Sequence, residues 1–149
     1  MDKNIVSTFK FLNYHICDMT FKLNQSNNPE ADNDADLDME FEVIVGRKKD
    51  DPEQIKLSVF VDVFKDYIEK GAPFNLRFTI DGYFEIEKDM TDEELAQFCK
   101  SSGVPILFPY IRSAVTDITK IANVDPLILP LINVRKIVEE PELIKEAEK

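Results

Sequence analysis

The sequence predicts an α+β fold, strands first and helices after. Apolar residues recur every second position through roughly the first two-thirds of the chain. From Thr91 onward the period becomes helical, and charged, proline-bearing links separate the runs. A run of strands followed by a run of helices is the pattern of segregated layers rather than of alternating crossovers.

The first strand, around Phe9 to Leu23, is irregular. Phe9 and Phe11 share a parity with Met19, Phe21 and Leu23, whereas Leu12, Tyr14 and Ile16 occupy the other. A change of frame by one residue flips every side chain, so a bulge or crossover is expected near Leu12 and again near Ile16. Such a strand would offer apolar groups to both faces of its sheet. In the second strand Leu37, Met39, Phe41, Val43 and Val45 alternate with Asp38, Glu40 and Glu42. Ile55, Leu57, Val59, Val61 and Val63 repeat the pattern, and Arg47 to Pro52 between them reads as a long hairpin. Phe60 and Phe64 fall on the nominally polar face. The fourth run places Phe74, Leu76, Phe78, Ile80, Gly82, Phe84 and Ile86 in one frame, with Gly82 marking a bend or the close approach of another element.

Thr91-Asp92-Glu93-Glu94 has the form of a capping box. The helix it opens carries Leu95, Phe98 and Cys99 and is expected to stop at Gly103, before Pro105. A second helix, begun at Pro109, puts Ile111, Val115, Ile118 and Ala122 on one stripe and ends near Asn123. Pro126 and Pro130 keep Leu127 to Ile132 extended. Asn133 is placed to cap a last helix through Val138, and the charged residues from Glu139 read as a fraying tail. The organisation is one domain over residues 1–140 with a charged tail at 141–149.

With 149 residues, 29 acids against 18 bases and a net charge of -11, the surface repels a phosphate backbone, which argues against nucleic acid as a partner. The longest apolar stretches are Val104 to Ile111 and Leu127 to Ile132. Both fall well short of the roughly 20 residues that span a bilayer, so no membrane insertion is expected. The first residues lack the apolar core of a secretory signal, and two cysteines suit a reducing cytoplasm.

Chemistry finds little to stand on. His15 and Cys17 lie two apart on a strand, but no second pair has ligand spacing, so no metal is expected. Asp32, Asp34 and Asp36 begin like a calcium loop. Leu37 then stands where glycine is required and Val43 where glutamate is. Asp38, Glu40 and Glu42 read as a solvated strand face. No phosphate loop, dinucleotide fingerprint or serine elbow is present, and neither enzyme activity nor a cofactor is expected. What the sequence has in excess is apolar surface, which suggests an oligomer interface or a groove for extended peptide.

Ile106-Leu107-Phe108-Pro109-Tyr110, followed by Arg112, resembles the ILFPYxR segment of the SecB export chaperones. Leu127-Ile128-Leu129-Pro130-Leu131-Ile132-Asn133 is similar to their LLLPPIN segment, and Gly82 to Ile86 to their GIFxI strand end. The resemblance runs over nearly the whole chain to about Ile137. It implies a four-stranded antiparallel sheet in Greek-key order with helices packed on one face, assembled as a homo-oligomer, a dimer or dimer of dimers. The implied activity is that of an ATP-independent holdase for unfolded, export-bound preproteins. Tyr14, Phe21, Phe108, Tyr110, Leu129, Ile132 and Ile137 are the candidates for lining its client groove. Asp18 matches an acid on the sheet face that the family offers to the motor SecA. The chain departs from the pattern at Leu131, where a second proline is usual, and at Val134, where an aromatic is common. Lys22 and Arg77 stand where glutamates are usual, which predicts weak docking to SecA. The alternative reading is a SecB-like protein dedicated to one partner, such as an antitoxin or an assembly subunit.

Overall fold

The computed structural model describes residues 9–26, 37–87 and 89–130, together with the backbone of 142–147. Strands β1 (Lys10–Leu23), β2 (Met39–Lys48), β3 (Asp51–Val63) and β4 (Phe74–Glu85) form an antiparallel sheet in the order β1-β4-β3-β2. Three consecutive strands lie side by side and β1 returns to the far edge beside β4, which is the Greek-key order. A short helix α1 (Tyr67–Lys70) sits in the β3–β4 connection, and α2 (Asp92–Phe98) and α3 (Val104–Ile121) follow the sheet.

Pairing fixes the faces, because residues opposite each other in a ladder share one. Leu57 is opposite Gly82, and both touch the helical layer: Gly82 meets Leu107 and Leu57 meets Gly103. The odd residues of β3 and the even residues of β4 therefore form the inner face. Val59, Val61, Val63, Leu76, Phe78, Ile80 and Phe84 are buried there.

β1 carries two bulges where the change of frame predicts them. Phe11 pairs with Phe84 and Asn13 with Tyr83, leaving Leu12 over; Ile16 pairs with Ile80 and Asp18 with Thr79, leaving Cys17 over. Each extra residue resets the frame. Tyr14 then lies opposite Gly82, Met19 opposite Phe78, Phe21 opposite Leu76 and Leu23 opposite Phe74. Every one of these partners is on the inner face. The strand does not offer apolar groups to both faces; the bulges collect them on one.

Phe64 also departs from expectation. β3 ends at Val63, and Phe64 takes a φ of 56°, a left-handed conformation that an aromatic side chain adopts at a cost of order 1–3 kcal/mol. Its ring turns inward, edge-on to Phe74 at 5.3 Å between centroids. Backbone and amide bonds hold the joint: Phe64 N donates to Asp38 O (2.8 Å), and the Asn75 side-chain amide donates to the carbonyls of Val63 (3.0 Å) and Phe64 (3.2 Å). On the other side of α1, the buried Asn24 donates to the carbonyl of Ala72 at 2.8 Å.

The β2–β3 link is tighter than the long hairpin expected. Lys48 pairs with Asp51, so only Lys49 and Asp50 lie between the strands, and the register shifts just inside the turn. The capping box is formed: Glu94 N donates to Thr91 Oγ1 and Thr91 N donates to Glu94 Oε1, both at 3.1 Å. The helix does not stop at Gly103. A π-helical segment, Cys99–Gly103, carries α2 directly into α3, with Val104 N bonding to Cys99 O. Pro109 lies inside α3 rather than at its start, and Pro105 occupies the first turn. The wider π turn moves the chain one residue along, and it delivers the small Gly103 against Leu57.

The segment after α3 is extended, as its prolines require, and α3 side chains strap it down. Thr116 Oγ1 donates to Leu127 O (2.9 Å), Leu127 N to Thr119 Oγ1 (3.0 Å) and Arg112 Nε to Leu129 O (3.1 Å). Glu142–Ala147, expected as part of a frayed tail, is instead strand β5, parallel to β2 and the fifth member of the sheet. The expected helix from Asn133 to Val138 and the acidic run at Asp32, Asp34 and Asp36 lie outside the described residues.

Candidate functional site

The inner face is covered in its middle and open along its β1 side. Gly82 has no side chain, so Leu107 sinks onto the strand there; a Cβ at position 82 would stand 2.8 Å from Leu107 Cδ2. Tyr110 follows three residues later, on the same side of the helix. It reaches across to β1 and stacks on Tyr14, which is the register partner of Gly82, with ring centroids 4.3 Å apart. Phe11 lies 6.0 Å from the same tyrosine ring. Farther along β1, Phe21 stacks on Phe74 at 5.2 Å, while Met19 and Leu23 leave 49% and 50% of their surface exposed. Tyr110 itself is 37% exposed. The result is an apolar strip in which aromatic rings are held by neighbours and flexible side chains remain free. Such a strip can bury extended apolar segments of many sequences.

The groove candidates separate accordingly. Tyr14, Phe21 and Tyr110 come together on the strip. Leu129 is fully buried and Phe108 nearly so, packed near Phe41, so both belong to the core rather than to an open groove. The cause is the strap on α3: alternation along the extended segment turns Leu129 in and leaves Ile128 out. Ile132 and Ile137 lie outside the described residues. Met19, Leu23 and Phe11, absent from the candidates, join the strip. Their signal was the paired change of frame along β1, read as two-faced instead of compensated.

The outer face is largely polar, with Phe60 and Tyr83 among its side chains. Asp18, Thr20 and Lys22 line β1; Phe60, 37% exposed, projects from β3. Arg77 reaches Asp62 at 3.6 Å, and Lys65 reaches Glu40 at 3.3 Å. Asp18 is exposed on this face. Beside it, Ser58 Oγ donates to Asp81 Oδ1 at 2.5 Å, and Cys17 Sγ donates to the carbonyl of Thr79 at 3.6 Å. His15 packs edge-on to Tyr83 at 5.7 Å. Partial burial, helped by the hydrogen bond and negative charge of Asp81, pushes the Cys17 thiol up from its ordinary value. Complete burial pushes Cys99 further, to about 12. Neither is a ready nucleophile. Among the described residues no three metal-ligating side chains converge, and no helix is long and apolar enough to cross a membrane.

The described residues thus form a Greek-key sheet with one helical layer and a partly covered apolar strip. The family model described as preprotein translocase subunit SecB matches residues 2–142, and the chain belongs to the SecB family, whose members bind other proteins rather than catalyse reactions. An uncharacterized protein of Methanocaldococcus jannaschii, MJ0357, is 32% identical over 137 residues, covering 92% of this chain and 86% of that protein. Among solved structures, the Mycobacterium tuberculosis SecB-like chaperone Rv1957, in complex with a ChAD peptide from the HigA1 antitoxin, shares the fold. It has a TM-score of 0.69 and 20% identity, and the match covers 84% of this chain and 91% of that one. A protein of unknown function from Streptococcus agalactiae gives a TM-score of 0.50 at 11% identity over 83% and 97% of the two chains.

Proposed function

We propose that this protein is an ATP-independent holdase of the cytoplasm. It binds unfolded or export-bound polypeptides on the inner-face strip and keeps them competent for translocation. The observation that carries this reading is the Tyr14–Tyr110 stack beside exposed Met19 and Leu23, an apolar strip that the core does not absorb. Burial of client side chains there drives binding at roughly 25 cal/mol per Å² of apolar surface removed from water. The net charge of -11 keeps the loaded complex soluble and favours basic clients. Ile132 and Ile137 complete the client-binding set. A homo-oligomer, dimer or dimer of dimers, would multiply weak sites through effective concentration and cover part of the exposed strip. A monomer in light scattering at micromolar concentration would count against that assembly.

A second reading has its own support. The structural neighbour Rv1957 holds a peptide from an antitoxin, and Lys22 and Arg77 depart from the acidic docking face of export chaperones. On that reading the strip serves one dedicated partner. Mixing the protein with several unrelated aggregation-prone clients separates the two. Broad suppression of aggregation supports the holdase; suppression of none of them, with tight binding of one native partner, supports the dedicated protein.

A further inference from the structure

The outer face of the sheet carries its charges unevenly. Asp62 of β3 pairs in register with Arg77 of β4 on one side and with Glu40 of β2 on the other. The three lie in one row across the strands, with the cation and the carboxylate one strand to either side of β3. The next row on this face is Thr79, Phe60 and Glu42, and the partly exposed Phe60 ring stands at its middle.

The members of the charged row are not equally free. Asp62 is the most buried of them: the Asn75 amide donates to it at 2.9 Å and Arg77 lies 3.6 Å away. Arg77, Glu40 and Lys65, which reaches Glu40 at 3.3 Å, each expose more than half of their side chains. Ion pairs this exposed are weak, so redirecting them costs little. Glu40 and Asp62 are also like charges directly opposed in the ladder, an unfavourable arrangement that a further cation over Glu40 relieves.

A row with a cation on one side of its middle strand and an anion on the other is self-complementary. A two-fold axis lying close to β3, in the plane between two copies, exchanges the two sides. Arg77 of each copy then meets Glu40 of the other, and the two Phe60 rings meet on the axis. Sheets stacked face to face with aligned strands stand about 10 Å apart, a gap that an arginine and a glutamate reaching from opposite walls close together. A strongly charged partner of either sign is matched less well, because Lys22, Lys65 and Arg77 offset most of the carboxylates of this patch.

We propose that the outer face, centred on Phe60, is a contact between two copies of this chain, held by reciprocal Arg77–Glu40 pairs around the two Phe60 rings. An isologous contact of this kind closes on itself. It lies on the side of the sheet opposite the Tyr14–Tyr110 strip, so it goes beyond the client-binding reading and does not rest on it. While it is formed, it excludes a third protein from the outer face.

The test is charge exchange in the full-length chain, read by sedimentation equilibrium at physiological salt, with thermal unfolding as the check on folding. Arg77→Glu sets carboxylate against carboxylate across the contact and should weaken self-association by at least about tenfold. Glu40→Arg alone sets cation against cation and should do the same. The double variant rebuilds the pairs with their signs exchanged and places its new arginine beside Asp62. It should associate within about threefold of the wild type. Phe60→Asp should also dissociate the contact, and it decides alone if Arg77→Glu does not fold. Where the chain assembles through another surface as well, the same changes appear as a halved mass instead of a monomer. Equal masses for the wild type and Arg77→Glu overturn the proposal. So does a double variant that associates no better than Arg77→Glu alone. Neither result touches the holdase reading, which is decided separately by suppression of client aggregation.

Discussion

Leu107 rests directly on Gly82, so close that a Cβ on the glycine would lie 2.8 Å from one methyl and 2.9 Å from the other. This contact sets the height of α3 above the sheet, and through it the position of Tyr110 over Tyr14. Gly82→Ala should therefore destabilise the fold by about 1–3 kcal/mol through overpacking and also part the tyrosine pair. Adding Leu107→Ala would relieve the clash but open a cavity, so the double variant should recover only part of the loss. Denaturant titration of the two single variants and the double gives the coupling between the positions; strict additivity would show that the contact does not determine the packing.

Tyr110→Asp removes a partly exposed ring whose stacking partner is itself half-buried. Stability should fall modestly, by about 0.5–1.5 kcal/mol for the lost aromatic pair, while the capacity to suppress aggregation drops severalfold. Client-suppression curves and thermal unfolding, run side by side, separate the effects. A variant that simply unfolds would place Tyr110 in the core.

The thiols should differ sharply in reactivity. Cys99, fully buried with its thiol pushed up to about 12, should resist alkylation in the native state and react only on unfolding. Cys17, exposed but also raised, should react natively, though more slowly than a free thiol. The same shift has a consequence for stability. The folded state holds the Cys99 proton more tightly than the unfolded state, so its contribution is complete below the ordinary thiol value of 9.0 and is lost as pH rises toward 12. Mass-resolved labelling with iodoacetamide at pH 8, with and without denaturant, checks the order.

The strands were legible because burial on one face imposes a period of two, and both bulges of β1 showed as changes of frame. What the pattern did not reveal is that two bulges cancel. Parity along one strand carries no information about the register of its neighbour, and only the pairing of Tyr14 with Gly82 shows on which face the ring lies. Pro109 misled for a related reason. Proline excludes a backbone donor, so it reads as a start, yet α3 accommodates it inside after a π turn that no local propensity announces. Phe64 turned inward through a left-handed backbone that Asn75, Asp38 and the Phe74 ring jointly impose, which is tertiary context overriding alternation. Of the proposed groove residues, Tyr14 and Phe21 were singled out by the irregularity of β1 itself, and the register places both on the inner face. Leu129 was misplaced because an extended segment presents both an inner and an outer row, and the strap on α3 decides which is which.

The outer face supplies the last prediction. Lys22 and Arg77 stand where the family resemblance leads one to expect glutamates, and the sheet register brings the two together. Thr20 pairs with Arg77 and Asp18 with Thr79, so Asp18 and Lys22 flank Arg77 diagonally on one face. A basic partner approaching along β1 would meet one acid followed by two cations, although the molecule as a whole carries -11. Docking to a SecA motor through this face should accordingly be weak and salt-sensitive. Lys22→Glu with Arg77→Glu should strengthen it. The two changes are not equivalent, because Arg77 already leans on Asp62 at 3.6 Å with most of its side chain exposed. Arg77→Glu sets two like charges against each other and should lower the unfolding midpoint slightly, as an exposed pair is worth at most about 1 kcal/mol. Lys22→Glu faces no such penalty: its register partner is the neutral Asn75. Calorimetric titration of SecA into the wild type, each single variant and the double variant, at low and physiological salt, resolves the contributions. The single Lys22→Glu change should account for at least half of the gain, and the gain should shrink as salt rises. Tight wild-type binding that neither change alters would move the docking surface off this face altogether.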